Sequence, residues 1–574
     1  MLNDNISKNV EIKNSILGIL DNSRKNRIIF LIILGVFGLG IRFYYFPFDV
    51  PLFNDAGQYF WYAIEINLLN HLPYTSNAIQ YDNGQFGHAI SNNGWPIFVS
   101  IFFRFFDSQN FLDYHNLQRL IGLLLSVLTI IPVYLLCSKF FKKSYSLIAS
   151  SLFLFEPRLV QNSILGTPES LYIFLMATSL VLFLSSNLKK IYLSFIIIAL
   201  LSIVRYEGTL MIIPFTIVFF IRFRKQKKDL VKYLICLSFF ILIMAPMGYL
   251  KNETMGYDGF TSHISAGPDY YQKTIQNDSS ALMDFIYLGI LNLTKYLGWS
   301  LIPIFILFIP VGIFCIFRNI DYKKIIIILT VITMLIPAFY GYSRELQEMK
   351  YIFVLYPIFC IFAGYTIKLF FEKTNKKNLI ICLLFAALVL SSIMYLEWKD
   401  VDQNHYRETF EILTQISQDP IKINSDFATY GGEYTYFHWV TVENAEKFPL
   451  LKKELPRSNI DVVKKQDRLL RQIEAEENKE LLKNSDEYLS KTDNLEDYFK
   501  ILEKQKVSHL LLDEAVNSRL TSDDLRIHLR DIFKNEKDYP YLFKVYDSKD
   551  VGFNYQLKLF EIDYNAYKKM QNND

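Results

Sequence analysis

The chain has 574 residues, 51% of them apolar and 16% aromatic, and a net charge of only +3. Its mean hydropathy is positive, and long uncharged runs of this kind exclude an ordinary soluble protein, because they are what a bilayer demands. Cys137, Cys236, Cys315, Cys360 and Cys382 lie in or at the ends of apolar runs without metal-ligand spacing. They read as small core residues rather than a disulfide framework or metal cage.

In chain order, residues 1–27 are polar and carry Lys8, Lys13, Arg24, Lys25 and Arg27. The apolar run behind them is long enough to stay as an anchor rather than a cleaved signal. Runs nearly free of charge fall at 28–46, 117–136, 144–155, 169–186, 191–204, 209–221, 231–250, 299–317, 325–340, 351–371 and 378–396, which gives eleven expected spans. Basic residues gather in alternate loops: Lys139/Lys142/Lys143, Lys189/Lys190, Arg222/Arg224/Lys225/Lys227/Lys228, Arg318/Lys323/Lys324 and Lys373/Lys376/Lys377. The positive-inside rule then places the N-terminus in the cytoplasm and residues 397–574 outside the cell membrane. Two interrupted apolar stretches, Trp95–Leu112 and Ala281–Leu297, read as amphipathic helices lying in the outer interface.

The first outer loop, 47–116, stands apart. From Pro47 to Phe103 it has no Lys or Arg, yet it carries Asp49, Asp55, Glu65 and Asp82. Asp55 has no cation near it in sequence and can act as a general base toward a hydroxyl. It can equally cap a helix expected from Ala56 to Leu69. Tyr59, one helical turn on, would share its face.

Further along, Glu169 in Thr167-Pro168-Glu169 opens a span, where the helix dipole favours an acid. The span 191–204 is short, about 21 Å against a hydrocarbon core near 30 Å. Its hairpin Arg205-Tyr206-Glu207-Gly208 is therefore expected below the membrane surface, as is Glu156-Pro157-Arg158 after 144–155. Charges at that depth either pair with each other to close a turn or line a polar chamber. Arg205 suits an anionic group, since a guanidinium matches phosphate oxygens in pairs. Arg344 and Lys350, in the loop 341–351, are further phosphate candidates or else rim charges paired with Glu345 or Glu348.

The ordered set Asp55-x-x-x-Tyr59, Gly94-Trp95-Pro96-Ile97-Phe98, Thr167-Pro168-Glu169, Arg205-Tyr206-Glu207-Gly208 and Arg344…Lys350-Tyr351…Tyr356-Pro357 resembles the GT-C superfamily of integral membrane glycosyltransferases. The likeness is to the group of protein O-mannosyltransferases and aminoarabinose transferases, and it covers residues 28–396. It implies a mainly α, polytopic membrane module, and the soluble composition and strand signals after Trp398 read as an appended extracytoplasmic α/β domain over 397–574. It also implies transfer of a sugar from a polyprenyl-phosphate carrier to a protein, glycan or lipid acceptor at the non-cytoplasmic face. Asp55 and Glu169 would be its catalytic acids. Arg205, Glu207, Tyr59, Arg158, His88, Arg344 and Lys350 would bind substrate.

Where many relatives carry a basic residue before the proline of the interfacial segment, this chain has Gly94 and Trp95, with His88 the nearest imidazole. The tail lacks the Trp-Trp-Asp motif of the oligosaccharyltransferase branch. No dedicated metal cage is evident; a divalent cation shared by Asp55 and Asp82 is the one cofactor left open. No nucleic-acid partner is expected. The competing class is a lipid-linked sugar flippase or transporter, although the spans show no internal repeat. In the tail, charge-rich residues 443–507 read as helices, and Ile421–Ala428, His509–Leu512, Leu542–Tyr546 and Tyr555–Ile562 read as strands.

Overall fold

The computed structural model describes residues 16–52, 54–69, 93–108, 110–224, 228–255, 281–344, 346, 348–374, 376–399, 404–418, 427–429, 494–504, 507–514 and 523–571. His88, Asp82, Glu345 and most of the expected 443–507 helices lie outside them.

The membrane module opens with α1 (Ile16–Asn22) and α2 (Arg24–Tyr44), followed by α3 (Asn54–Leu69) and α4 (Gly94–Phe103). The next run, α5 (Phe111–Leu128) with α6 (Ile130–Cys137), reads on as one apolar stretch of 27 residues. After it come α7 (Lys143–Leu154), α8 (Pro157–Ser163), α9 (Glu169–Phe183) and α10 (Leu188–Val204), then a 3-10 turn (Tyr206–Met211) leading into α11 (Ile212–Phe223). The module closes with α12 (Asp229–Met255), α13 (Ala281–Leu301), α14 (Ile309–Ile316), α15 (Tyr322–Ser343), α16 (Lys350–Phe353), α17 (Tyr356–Lys373) and α18 (Lys377–Trp398). Six described helices are long and apolar enough to cross a membrane, and the chain is a polytopic membrane protein.

Several expected boundaries move. The run 299–317 is not one helix: α13 continues from Ala281 straight through to Leu301, and turns at 302–308 precede α14. Pro303 and Pro310 explain the break, since proline cannot continue a helix hydrogen-bond ladder. The segment read as a separate surface helix at 281–297 is thus the body of α13. It packs on the end of α15 through Asn292, whose amide donates to the Tyr342 carbonyl (3.1 Å) and is buried. The apolar stretch after Trp95 does stop where Arg104 interrupts it, with α5 starting at Phe111. α10 begins three residues before the expected 191, capped by the Asn187 side chain on the Lys189 amide. All five cysteines are free thiols.

Polar residues hold the bundle where its helices break. Arg42, fully buried in α2, donates to Ser163 Oγ, Ser126 Oγ and the carbonyls of Gly38 and Leu154. It thereby satisfies a terminal carbonyl of α7, which would otherwise be an orphan in an apolar interior. At the end of the bundle read as cytoplasmic, Arg222 does the same for Phe183 and Ser185.

In the tail, α19 (Asn404–Gln418) precedes β1 (Phe427–Thr429), α20 (Leu495–Lys504), β2 (His509–Asp513), α21 (Asp523–Lys534), β3 (Leu542–Asp547), β4 (Leu557–Ile562) and α22 (Tyr564–Gln571). The four strands form one sheet in the order β1-β2-β4-β3, parallel between β1 and β2 and antiparallel elsewhere. One face packs on α20 and α21, the other on Ile412, Leu413 and Ile416 of α19. Of the four expected strands, the last three are present as β2, β3 and β4, and of the first only 427 and 428 lie among the described residues, in β1.

Candidate active site

The backbone that carries Asp55 is gripped from beneath by α5. The buried Arg119 guanidinium donates to the carbonyls of Pro47, Val50 and Pro51. His115 Nδ1 accepts from the Leu52 amide (2.7 Å), and Gln118 donates to the carbonyls of Ala56 and Gly166 (3.0 and 2.8 Å). Trp95, fully buried, donates its indole N–H to the same Gly166 carbonyl (2.9 Å). Gly166 sits at φ +78, a conformation that favours glycine. Residues 47–52, the start of α3, α4 and the entry to α9 are therefore knotted together around one turn.

This clamp went unread in the sequence. Its signal was there: His115, Gln118 and Arg119 are spaced to share one face of an otherwise apolar run.

Asp55 lies in the first turn of α3, which starts at Asn54 rather than Ala56. Its Oδ2 accepts from Lys350 Nζ at 2.7 Å, and the same ammonium meets Glu348 Oε2 at 2.5 Å. Burial opposes the charge on Lys350, but Asp55 and then Glu348 outweigh it and hold the ammonium above its ordinary pKa. Tyr59 follows one turn on. Burial first, then the Asp55 carboxylate, pushes its hydroxyl up, so it serves as a hydrogen-bond donor rather than a base.

Beside this pair sits a buried triad. Arg205 Nη1 is 2.6 Å from Glu169 Oε1, and its Nη2 is 2.8 Å from Glu207 Oε1. All three side chains are at most 8% exposed, and the guanidinium carbon lies 5.9 and 5.8 Å from the rings of Tyr172 and Tyr351. The Arg205 hairpin is thus self-paired, and the narrow cleft it borders with Lys350, Tyr351, Met334, Pro337 and Val354 holds only about 10 Å³.

The remaining candidates separate. Arg158 belongs to another buried pair, with Glu156 (3.3 Å), and lies over the Tyr395 ring (4.8 Å). Arg344 stacks by the Tyr340 ring (5.6 Å), whereas Glu348 is taken by Lys350.

The cluster holds four carboxylates, Asp55, Glu169, Glu207 and Glu348, against two cations, Arg205 and Lys350. Asp82, which would share a divalent cation with Asp55, lies outside the described residues. Among the described residues no group of three His, Cys, Asp or Glu side chains gathers to hold a metal.

The departure at Gly94 also has a cause. A Cβ there would lie 2.6–2.8 Å from the backbone of Ile203 and Val204, and Trp95 fills the core. A long basic side chain cannot occupy either place.

A family model described as dolichyl-phosphate-mannose-protein mannosyltransferase matches residues 98–249. No curated protein matches the chain. Among solved structures, the Archaeoglobus fulgidus oligosaccharyltransferase tethered to an acceptor peptide aligns with 93% of this chain and 74% of its own, at 13% identity and a TM-score of 0.54. The same organism's oligosaccharyltransferase AglB, in complex with an inhibitory peptide and a dolichol-phosphate, aligns with 92% and 74%, at 13% identity and a TM-score of 0.51. ArnT from Cupriavidus metallidurans aligns with 94% of this chain and 98% of its own, at 9% identity and a TM-score of 0.47. The fold is similar to that of GT-C membrane glycosyltransferases, as the ordered motifs from Asp55 to Pro357 imply.

Proposed function

We propose that the chain is a membrane glycosyltransferase that takes a sugar from a polyprenyl-phosphate carrier and places it on an acceptor hydroxyl. The observation that carries this reading is the Lys350–Asp55 pair at the mouth of the cleft, beside the Glu169–Arg205–Glu207 triad. Arg205 and Lys350 each meet two carboxylates, but Arg205 is buried and Lys350 is 25% exposed, so Lys350 is the cation better placed to meet a phosphate. An arriving phosphate competes with Asp55 for that ammonium and releases Asp55 as it binds. Asp55 thus loses its ammonium partner as the donor binds.

The acceptor hydroxyl then gives its proton to Asp55 while its oxygen bonds to the anomeric carbon of the sugar. The bond from that carbon to the phosphate oxygen breaks with its electron pair, and Lys350 stabilises the charge left on the polyprenyl phosphate. Glu169 and Glu207 stay anchored by Arg205 and offer their remaining lone pairs to sugar hydroxyls. Met334, Pro337 and Val354 supply an apolar wall to the cleft, which at about 10 Å³ has to widen to admit the start of a prenyl chain. Arg158 and Arg344 stand outside this step.

The reading places the cluster and residues 397–574 on the extracytoplasmic face, with the N-terminus inside. We place the tail over the Asp55 loop, a reading supported by the 3.8 Å approach of Arg407 in α19 to Asp49. Acceptor choice, whether protein, glycan or lipid, falls to that side.

Asp55→Asn tests the proposal. Transfer of sugar from a polyprenyl-phosphate donor is expected to fall by roughly 10²–10⁴-fold, while membrane insertion and folding survive. Full activity in that variant overturns Asp55 as the base.

A further inference from the structure

A second cleft lies on a different flank of the bundle. Between α2 and α18 runs a groove of about 650 Å³, with Phe37, Gly40, Val389 and Ile393 along its walls. A side chain at Gly40 would meet nothing within 4 Å, so the glycine leaves the floor open. The groove does not join the Asp55 cleft, which is built against α9, α15 and the chain around Lys350.

One end of the groove is polar, and it is the end from which the Asp55 loop departs. There Tyr45 donates its hydroxyl to Glu397 Oε1 at 2.6 Å, holding an exposed carboxylate at the rim. Ile393 and Glu397 are four residues apart on α18 and share the groove face, whereas Tyr395 faces Arg158 on the other side. Lys399, four residues on from Tyr395, rests over the Trp398 ring at 4.4 Å on that other side. Glu397 is thus the charged group of the groove's lining where the apolar walls end, beside the exposed aromatic ring of Tyr44. That is the pattern of a membrane interface.

We propose that this groove is a specific lipid site for one chain of an aminophospholipid, with its primary ammonium on Glu397. The rim carboxylate selects the head group. A carboxylate fixed at the rim repels a lipid whose head is purely anionic, a polyprenyl phosphate included. A quaternary choline head carries charge but no N–H to give Glu397, so the ammonium of phosphatidylethanolamine is favoured over it.

The test uses the full chain, purified and reconstituted in nanodiscs of phosphatidylethanolamine, phosphatidylcholine and phosphatidylglycerol in equal parts, with retained lipid counted by native mass spectrometry. The wild type is expected to retain phosphatidylethanolamine in preference to both others. Glu397→Gln is expected to lower its preference over phosphatidylcholine by about fivefold, as suits a partly exposed charged contact. Gly40→Phe fills the floor and is expected to cut retention of every lipid class, with an unchanged melting midpoint.

An unchanged phosphatidylethanolamine preference in Glu397→Gln overturns the proposal. So does a wild-type preference for phosphatidylglycerol, or displacement of phosphatidylethanolamine by added polyprenyl phosphate. Should Gly40→Phe fail to fold, the Glu397→Gln ratio decides alone. Because no readout is sugar transfer, failure here leaves the glycosyltransferase reading untouched.

Discussion

Lys350 and Asp55 are 295 positions apart in sequence, yet their charged groups meet at 2.7 Å. The contact joins the first outer loop to the entry of α16, and Glu348 competes for the same ammonium. Lys350→Gln should therefore raise the KM for a polyprenyl-phosphate donor and lower kcat, together costing roughly 10²–10³-fold in kcat/KM. Lys350→Arg keeps the charge and should recover most of the donor KM. Because the Lys350 ammonium is held above its ordinary value, its ion pairs are fully present below that value and fade only as pH rises through the folded one. A pH–rate profile should accordingly show no loss assignable to Lys350 below about pH 10.

Arg205 gives a different signature. Its guanidinium neutralises two buried carboxylates, so Arg205→Ala strands both and should cost about 3–5 kcal/mol of stability. The measurement is the thermal midpoint in detergent. Adding Glu169→Gln and Glu207→Gln to that variant should restore much of the midpoint without restoring transfer. A variant that keeps full stability and loses only donor affinity would instead mark Arg205 as a phosphate grip.

The pairing also explains what the sequence reveals and what it hides. Asp55, Glu169 and Arg205 stand out because charge is costly beside apolar spans, and the structure gathers all three with Lys350 at one end of the bundle. The partner of Asp55 was hidden, since nothing local to Asp55 points to a residue that arrives from the other end of the chain. Arg158 looked equivalent to Arg205, both following short apolar runs. Tertiary packing sends it instead to Glu156 and Tyr395. Ala281–Leu297 looked separate from the run at 299 because Asp284 and Lys295 interrupt its hydropathy. Backbone hydrogen bonding is indifferent to those charges, and α13 runs through them.

Gly94 supplies a packing prediction. With the backbone of Val204 2.6 Å from a modest Cβ, even Gly94→Ala forces α4 away from the end of α10, at a cost of roughly 1–3 kcal/mol. Gly94→Lys, which would restore the basic residue many relatives place there, should abolish the monodisperse peak in size-exclusion chromatography. Trp95→Phe shrinks the ring and loses the indole N–H bond to Gly166, whose carbonyl keeps the Gln118 amide, and should cost less than Gly94→Lys.

The tail sheet carries its own pH dependence. Burial raises the Glu536 carboxyl, but hydrogen bonds from Lys544 (2.9 Å) and Lys558 (3.1 Å) prevail and hold it below its ordinary value. Asp547 behaves alike: burial raises it, and Gln556, the Lys549 amide and Lys544 bring it lower. Both carboxyls are depressed in the folded chain, so the unfolded chain binds more protons across this range and stability rises with pH. Their contribution is complete above the ordinary values of 4.5 and 3.8 and disappears as pH falls through the lower folded values. Amide hydrogen exchange of β3 and β4 in the full-length chain should accelerate, relative to the intrinsic rate, as pH drops below about 4.5. Lys544→Met should flatten that dependence, because it removes a cation shared by both acids. Identical profiles in the variant and the wild type would place the acid sensitivity elsewhere in the tail.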